Sequence, residues 1–504
     1  MRAFILLLAL SIVSLSWLNS AEARPGGGHS SSGHHSSSSH SSSSHGSFSH
    51  GSYSSHGSSS HSSRPMSNEE LVIFLIIVIV FILIKMMEKR RNADSSLASM
   101  PTPVIRARRQ DQVKQQLALL KQSDPNFSGI LFLDFVHSLY SKFYSYSTHP
   151  EFRYLSPFLG ADLQRHFDRA GPWTITEVVI NGIKWQEINT EDPNGETICL
   201  VIDANYTLDL RGKRTRYAVT ERWQFKRKKG LRSPEPEKMQ SLCCPHCGAP
   251  AQFTDAGLCE YCARVIHQGD RQWYLARRAV LETTALAAAD AVSYAEEQGT
   301  HLETIKQADL PEQMLRFQQQ HGLSDWEDFW RPFVDDVVRA YFISIYSAWS
   351  HRDWQGARHL LSDRLFEANL FWQQLYAEQN WFNRLDDLNI GLAEVVKIEL
   401  DPFYEAITVR IFASCYDYTE DAGGKLIGGS KRSLRRYSEY WTFVRRIGAE
   451  KSSAPYSINQ CPQCGAPADN IGQTAVCGYC GAKISTGEFS WVLFLMMQDE
   501  AYEG

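Results

Sequence analysis

Eight of the eleven cysteines of this 504-residue chain fall into two copies of one pattern. The first is Cys244-Pro-His-Cys247-Gly-Ala-Pro-Ala, followed by Cys259-Glu-Tyr-Cys262. The second is Cys461-Pro-Gln-Cys464-Gly-Ala-Pro-Ala, followed by Cys477-Gly-Tyr-Cys480. Two Cys-x-x-Cys pairs separated by 11 or 12 residues suit four thiolates around one tetrahedral cation, as in a small zinc ribbon. All four positions of each site are filled by protein, which leaves none for a reacting water. The expected chemistry is therefore structural: two zinc ions, each ordering a loop too small to build its own core. Cys243 adjoins the first group, but its counterpart in the second copy is Gln460, which favours Cys244 as the ligand.

The repeat extends to the segments that must hold these loops. Glu221-Arg-Trp223-Gln-Phe225 matches Glu439-Tyr-Trp441-Thr-Phe443, and Gly269 to Trp273 matches Gly487 to Trp491, both at an offset of 218. Each ribbon (242–266 and 459–484) is thus expected to elaborate a β-hairpin. Glu221 and Glu439 share strand parity with Trp223 and Trp441, which puts carboxylate and indole on one face. Such a carboxylate is either the polar group of an apolar pocket or half of an ion pair with a neighbouring arginine.

Around these hairpins the pattern is helices first, then strands. In the first copy, Ser123-Asp124-Pro125 looks like a helix start. Phe132, Phe135, Val136, Leu139, Phe143 and Tyr146 follow at helical spacing. A further helix is expected over His149–Phe167. Asn181-Gly182, Asn194-Gly195 and Arg211-Gly212 read as turns. Leu200 to Leu210 alternates, with Asp203, Asn205 and Thr207 expected on a wet face. Ala276 to Glu297 is alanine-rich and read as helical, and 281–322 as a helical linker. In the second copy, Ser324-Asp-Trp-Glu327 resembles a capping box, helices follow through Trp330 to Ala348 and Trp354 to Leu365, and Ile407 to Cys415 alternates as a strand. The fold class is α+β in duplicate.

The N-terminal fifth reads differently. Residues 1–23 have the charge, apolar run and Ala21-Glu-Ala23 site of a secretory signal, with an uncleaved anchor as the alternative. Residues 24–66 are Ser, Gly and His, a disordered composition that could also bind divalent metal loosely. Leu71 to Ile84 is an unbroken apolar run, read as the centre of a transmembrane helix over 69–88. Lys85, Lys89, Arg90 and Arg91 follow it, so the positive-inside rule puts the remainder in the cytoplasm and the tail in the periplasm. A reducing compartment also suits thiolate zinc sites. The basic linker of 89–122, helical from Gln110, is placed to touch anionic lipid.

Signal, polar tail, single span, an Asp-Pro-x-Phe opening (Asp124, Pro125, Phe127), the Glu-x-Trp-x-Phe strands and the closing Gly487-Glu-Phe-x-Trp491-Val-Leu493 together resemble the Tim-44-like domain family. These are bacterial, membrane-anchored relatives of the mitochondrial import inner-membrane translocase subunit 44. The resemblance covers 123–280 and 323–504. It implies two tandem nuclear-transport-factor-two-like cones, each a curved sheet over helices with an apolar pocket at its mouth, and a role in binding lipid or protein at the inner membrane. Zinc ribbons and the missing Asp-Pro of the second copy depart from the pattern.

A net charge of −5 gives no global case for nucleic acid. Local basic runs keep an RNA- or ribosome-facing role open: Arg211–Arg216, Lys226–Lys229 and Lys431–Arg436. Signatures of hydrolases, phosphate loops, dinucleotide sites and zinc peptidases do not occur in the chain. His137 and His166 lie on expected helices, and Cys199 and Cys415 on expected strands. The expectation is a non-enzymatic scaffold.

Overall fold

The computed structural model describes residues 103–164, 172–234, most of 242–287, 299–449 and most of 459–504. The signal, the Ser/His-rich tail, the apolar run of 69–88, His166 and residues 288–298 of the linker lie outside the described residues. Among those described, no helix is long and apolar enough to cross a membrane.

From Gln116 to Gly504 the chain forms one compact unit. Helix α1 (Pro103–Ser123) leads to α2 (Gly129–Ser145), a 3-10 segment (Pro150–Phe158) and the short α3 (Ala161–Gln164). An antiparallel sheet follows in the order β1-β2-β3-β4, from β1 (Trp173–Asn189), β2 (Glu196–Leu210), β3 (Lys213–Arg227) and β4 (Tyr274–Leu286). The second half repeats this order. Helices α4 (Leu310–His321), α5 (Glu327–Pro332), α6 (Ala340–Ser350) and α7 (Asp363–Glu378) precede a sheet ordered β5-β6-β8-β9. Its strands are β5 (Trp381–Leu400), β6 (Tyr404–Asp421), β8 (Arg435–Arg446) and β9 (Val492–Gln498), with the short β7 (Leu426–Gly429) paired to β6. In both halves the residue after a 3-10 segment (Pro150–Phe158 and, in the second, Trp354–Leu360) docks on the last strand through a parallel bridge, Leu159 to Leu275 and Leu361 to Leu493.

Several local expectations are corrected. Asp124 does not cap a helix. α1 runs on to Ser123, and the cap of α2 is Ser128, whose hydroxyl accepts from Leu131 N at 3.1 Å. The carboxylate of Asp124 is instead turned inward to Arg227. Of the helix expected over His149–Phe167, Pro150–Phe158 is a 3-10 segment, where Pro157 lacks the interior amide an α-helix would use. Ser324 likewise gives way to Asp325, whose Oδ1 accepts from Glu327 N at 3.2 Å. Beyond α5 the helix widens into a π-helical stretch, Phe333–Arg339, before α6. Asn181-Gly182 does not end a strand: Asn181 is the extra residue of a bulge within β1.

The largest correction concerns Ala276 onward, which is strand and not helix through Leu286. Val280, Thr283 and Thr284 suit a strand, and β3 needs a partner for its outer amides over Arg216–Lys226, which this segment supplies. The polar face of β2 is not wet either. Asp203, Asn205 and Thr207 are all buried. Cross-strand partners share a face, and Asn205 lies opposite Val179 while Thr207 lies opposite Arg216. Val179 belongs to the core of the second half, and Arg216 pairs with Glu378 of α7. The second half therefore covers the face that the alternation left for solvent.

Candidate metal centres and the buried carboxylates beneath them

Each ribbon is built from the same three bridges. These are Cys243–Pro250, Phe253–Cys259 and Leu258–Val265 in the first, and Gln460–Pro467, Ile471–Cys477 and Val476–Lys483 in the second. Cys243 is thus a bridge residue like Gln460, and Cys244 is the one that joins the sulfur cluster. Every Cys-x-x-Cys knuckle closes on a residue with positive φ: Gly248, Ala263, Gly465 and Gly481. The amides of these four donate back to the carbonyls of Cys244, Cys259, Cys461 and Cys477 at 2.8–2.9 Å. That turn aims the intervening amides at the first sulfur of each pair. His246 and Cys247 bond Cys244, Tyr261 and Cys262 bond Cys259, and the second ribbon does the same.

The donor atoms of Cys244, Cys247, Cys259 and Cys262 all lie within 4.8 Å of one another, as do those of Cys461, Cys464, Cys477 and Cys480. Closest approaches are 3.9 Å for Cys244–Cys262 and Cys247–Cys259, 3.9 Å for Cys461–Cys480, and 3.8 Å for Cys464–Cys477. A tetrahedron of thiolates about 2.3 Å from a central zinc has edges of about 3.8 Å, whereas a disulfide needs about 2.05 Å. The spacing fits a cation and excludes a covalent bridge. Burial also pushes the thiols of Cys244 and Cys461 up to about 12, so thiolates there need a positive charge among them. Two metal ions could therefore be held, one in each ribbon.

The necks of the ribbons are alike as well. Lys228 N donates to Gly269 O at 3.0 Å, and Arg446 N to Gly487 O at 2.7 Å. Below each neck an arginine lies over an indole at 4.4 Å, Arg227 on Trp273 and Arg445 on Trp491. The anchoring acids differ. Arg227 donates to Glu196 at 2.5 Å and to Asp124 at 2.7 Å, in a site where all three side chains are at least 97 % buried. In the second half Glu405 receives Arg445 and, at 2.6 Å, His321 Nε2. The missing Asp-Pro is thereby explained: Glu405 takes two donors where Arg227 takes two carboxylates.

Glu221 and Glu439 stand deeper. Glu221 accepts from Tyr144 Oη, from Trp223 Nε1 at 2.8 Å and from Arg278 Nη2 at 2.9 Å. Glu439 accepts from Tyr346 Oη at 2.6 Å and Trp441 Nε1 at 2.9 Å. Strand register puts Met496 opposite Trp441 where Arg278 stands opposite Trp223. Burial, with the Glu221 charge beside it, pushes the Tyr144 hydroxyl well up, so it stays a donor. Both carboxylates and both indoles are essentially unexposed. A small cavity of about 30 Å³ lies between the halves, lined by Asn181, Arg364, Trp372 and Met496 among others, and Glu221, Trp223, Glu439 and Trp441 are not part of its lining. Of the two readings of Glu221, the ion pair with Arg278 is the one the geometry shows.

The remaining candidates are accounted for in the packing. Cys199 and Cys415 are buried in strands, and His137 Nε2 sits 3.4 Å from Glu367 across the contact between halves. The basic runs are partly consumed internally: Arg214 pairs with Glu177, Arg216 with Glu378, Lys431 with Glu420 and Arg435 with Asp417. Sequence reasoning missed Arg227, Arg278 and Arg358, all buried or nearly so. Only strand parity beside a known acid could have flagged the first two.

Comparison with known families now adds a class. Residues 330–456 match the Tim44-like domain, a stretch running from the end of α5 past β8 and stopping short of the second ribbon. This stretch is similar to a Tim44-like domain, and both tetracysteine ribbons lie outside it. No curated protein matches the chain.

Proposed function

We propose that this chain is a non-enzymatic, membrane-tethered scaffold. Two tandem Tim44-like cones, each closed by a zinc ribbon, present binding surfaces for protein or lipid at the cytoplasmic face of a bacterial inner membrane, in a role related to protein translocation or membrane-protein assembly. The observation that carries the scaffold reading is the recurrence of one frame. Tyr-Glu-Trp hydrogen bonding, an Arg-over-Trp neck and a four-cysteine tip occur in both halves. Zinc is the cation best suited to four thiolates with no open position. Since Glu221 and Glu439 are sealed by their own donors, binding falls to outer surfaces and not to the cone interiors.

The test is to purify the full chain in mild detergent and identify what co-elutes by mass spectrometry. A defined protein partner or a lipid enriched over the bulk membrane is the expected result. Recovery of nucleic acid, released by moderate salt, would instead favour the RNA-facing role. A reporter fused after Gly504 should be active in the cytosol, and activity on the periplasmic side would refute the topology.

A further inference from the structure

Helix α7 is shared between the two halves. Glu378 at its C-terminal end forms a bidentate pair with Arg216 of β3, both contacts at 2.7 Å, and Arg216 also lies over the ring of Phe371. Glu367 faces His137 of α2 at 3.4 Å. Ala368, Asn369 and Trp372 meet Ile180 and Asn181 of the edge strand β1 across the small cavity. α7 therefore lies against the first sheet while its other side packs into the core of the second half.

The N-terminal end of this same helix is gripped by the second ribbon. Lys483, three residues past Cys480, donates to Asp363 Oδ2 at 2.6 Å. Asp363 is the first residue of α7, where a carboxylate also suits the helix dipole. Arg358, only 2 % exposed, donates to Gln473 O at 2.6 Å, to Leu361 O at 2.9 Å and to Asp363. Gln355 Nε2 donates to Ile471 O at 2.8 Å. Burial alone would raise the Asp363 carboxyl, but Lys483 and Arg358 hold it at about 2. The ribbon that supplies these groups has a core of five residues, Cys461, Ile471, Ala475, Cys477 and Ile484. Two of the five are ligands, so the ion is what fixes the carbonyls of Ile471 and Gln473 and the amine of Lys483 in space.

We propose that metal binding at Cys461, Cys464, Cys477 and Cys480 controls the contact between the two halves, by way of Lys483, Arg358 and the N-terminal end of α7. Loss of that ion releases Asp363 and Arg358, loosens the first turns of α7 and uncovers the part of β1 around Ile180 and Asn181 that they meet. The inference rests on the reading of the ribbons as metal sites. The bridges and neck described for the first ribbon involve no residue of α7, so the control is assigned to the second site.

The test is hydrogen exchange on the zinc-loaded full chain in detergent, with metal content measured on each sample. Cys464→Ser with Cys480→Ser empties the second site, and Cys247→Ser with Cys262→Ser empties the first. Emptying the second should speed exchange of the α7 and β1 amides by about tenfold or more while leaving β6 protected. Emptying the first should leave α7 unchanged. Lys483→Ala should keep both ions and still speed exchange in the first turns of α7. Unchanged α7 protection after loss of the second ion overturns the proposal, as does equal loosening from the first site or loss of protection throughout β6. A chain that takes up no ion at the second site overturns both this proposal and the reading of the ribbons. One that takes it up, with α7 indifferent to its loss, overturns the proposal alone.

Discussion

Asp124 offers the sharpest energetic test of how the first half is anchored. Its carboxylate is 1 % exposed and accepts from Arg227 Nη1 at 2.7 Å, from Ser233 Oγ at 2.7 Å and from Ser233 N at 3.0 Å. Asp124→Ala leaves the Arg227 guanidinium buried with Glu196 as its remaining acid and strips the Ser233 amide of its acceptor. Removing one partner from such a buried set costs about 3–5 kcal/mol. Asp124→Asn keeps an acceptor for Ser233 and loses only the charge, so about 1.5–3 kcal/mol is expected. Because the halves pack together, global melting would blur the effect, and exchange of the β2 amides is the better assay. The Ala variant should lower β2 protection by about two to nearly four orders of magnitude, from 1.36 kcal/mol per factor of ten, with the Asn variant in between. A loss under about 1 kcal/mol for Asp124→Ala would refute the reasoning. It would mean that Arg227 is rehydrated on truncation, or that Glu196 and the Trp273 ring suffice.

Two further perturbations probe the neck and the contact between halves. Gly487 has φ +73, and a Cβ there would sit 3.0 Å from Val444 O; Gly487→Ala should destabilise by about 1–3 kcal/mol, read as a lower urea midpoint, while Gly424→Ala at a roomy turn should cost less. Asp134 faces His137 on its own helix and Asp363, Arg364 and Lys483 across the contact. Burial raises it from 3.8 to about 6, with Asp363 adding to the rise and the cations opposing it. A carboxylate raised in the fold contributes most below its unfolded pKa, and that contribution is lost as pH climbs through about 6. Asp134→Asn should therefore stabilise by about 1–3 kcal/mol at pH 8 and by almost nothing at pH 4; a gain independent of pH would refute the assignment.

What could be seen in the chain beforehand was whatever repeats or has a strict period. The eight clustered cysteines, the Glu-x-Trp-x-Phe strands and the helix of Phe132 to Phe143 needed only spacing and parity. What could not be seen depended on partners distant in sequence. Alanine-rich residues after Ala276 have helical propensity, yet the open edge of β3 claims them as strand. Asp203, Asn205 and Thr207 look like a solvent face until the second half covers them. Asp124 before a proline has the local signature of a helix cap, and only Arg227, 103 residues away, turns it inward. Glu221 and Glu439 were legible as buried acids beside indoles, but not the tyrosines that seal them, because Tyr144 and Tyr346 lie at an offset of 202 while the strands lie at 218.

The most direct measurement is the metal content of the folded full chain, purified without added metal and measured by elemental analysis alongside exchange of β3 and β8. Two equivalents of zinc per chain, falling to one when either cysteine set is replaced by serine, is the predicted result. A folded chain with far less than two equivalents, or with sulfurs joined as disulfides, would contradict the account at its base.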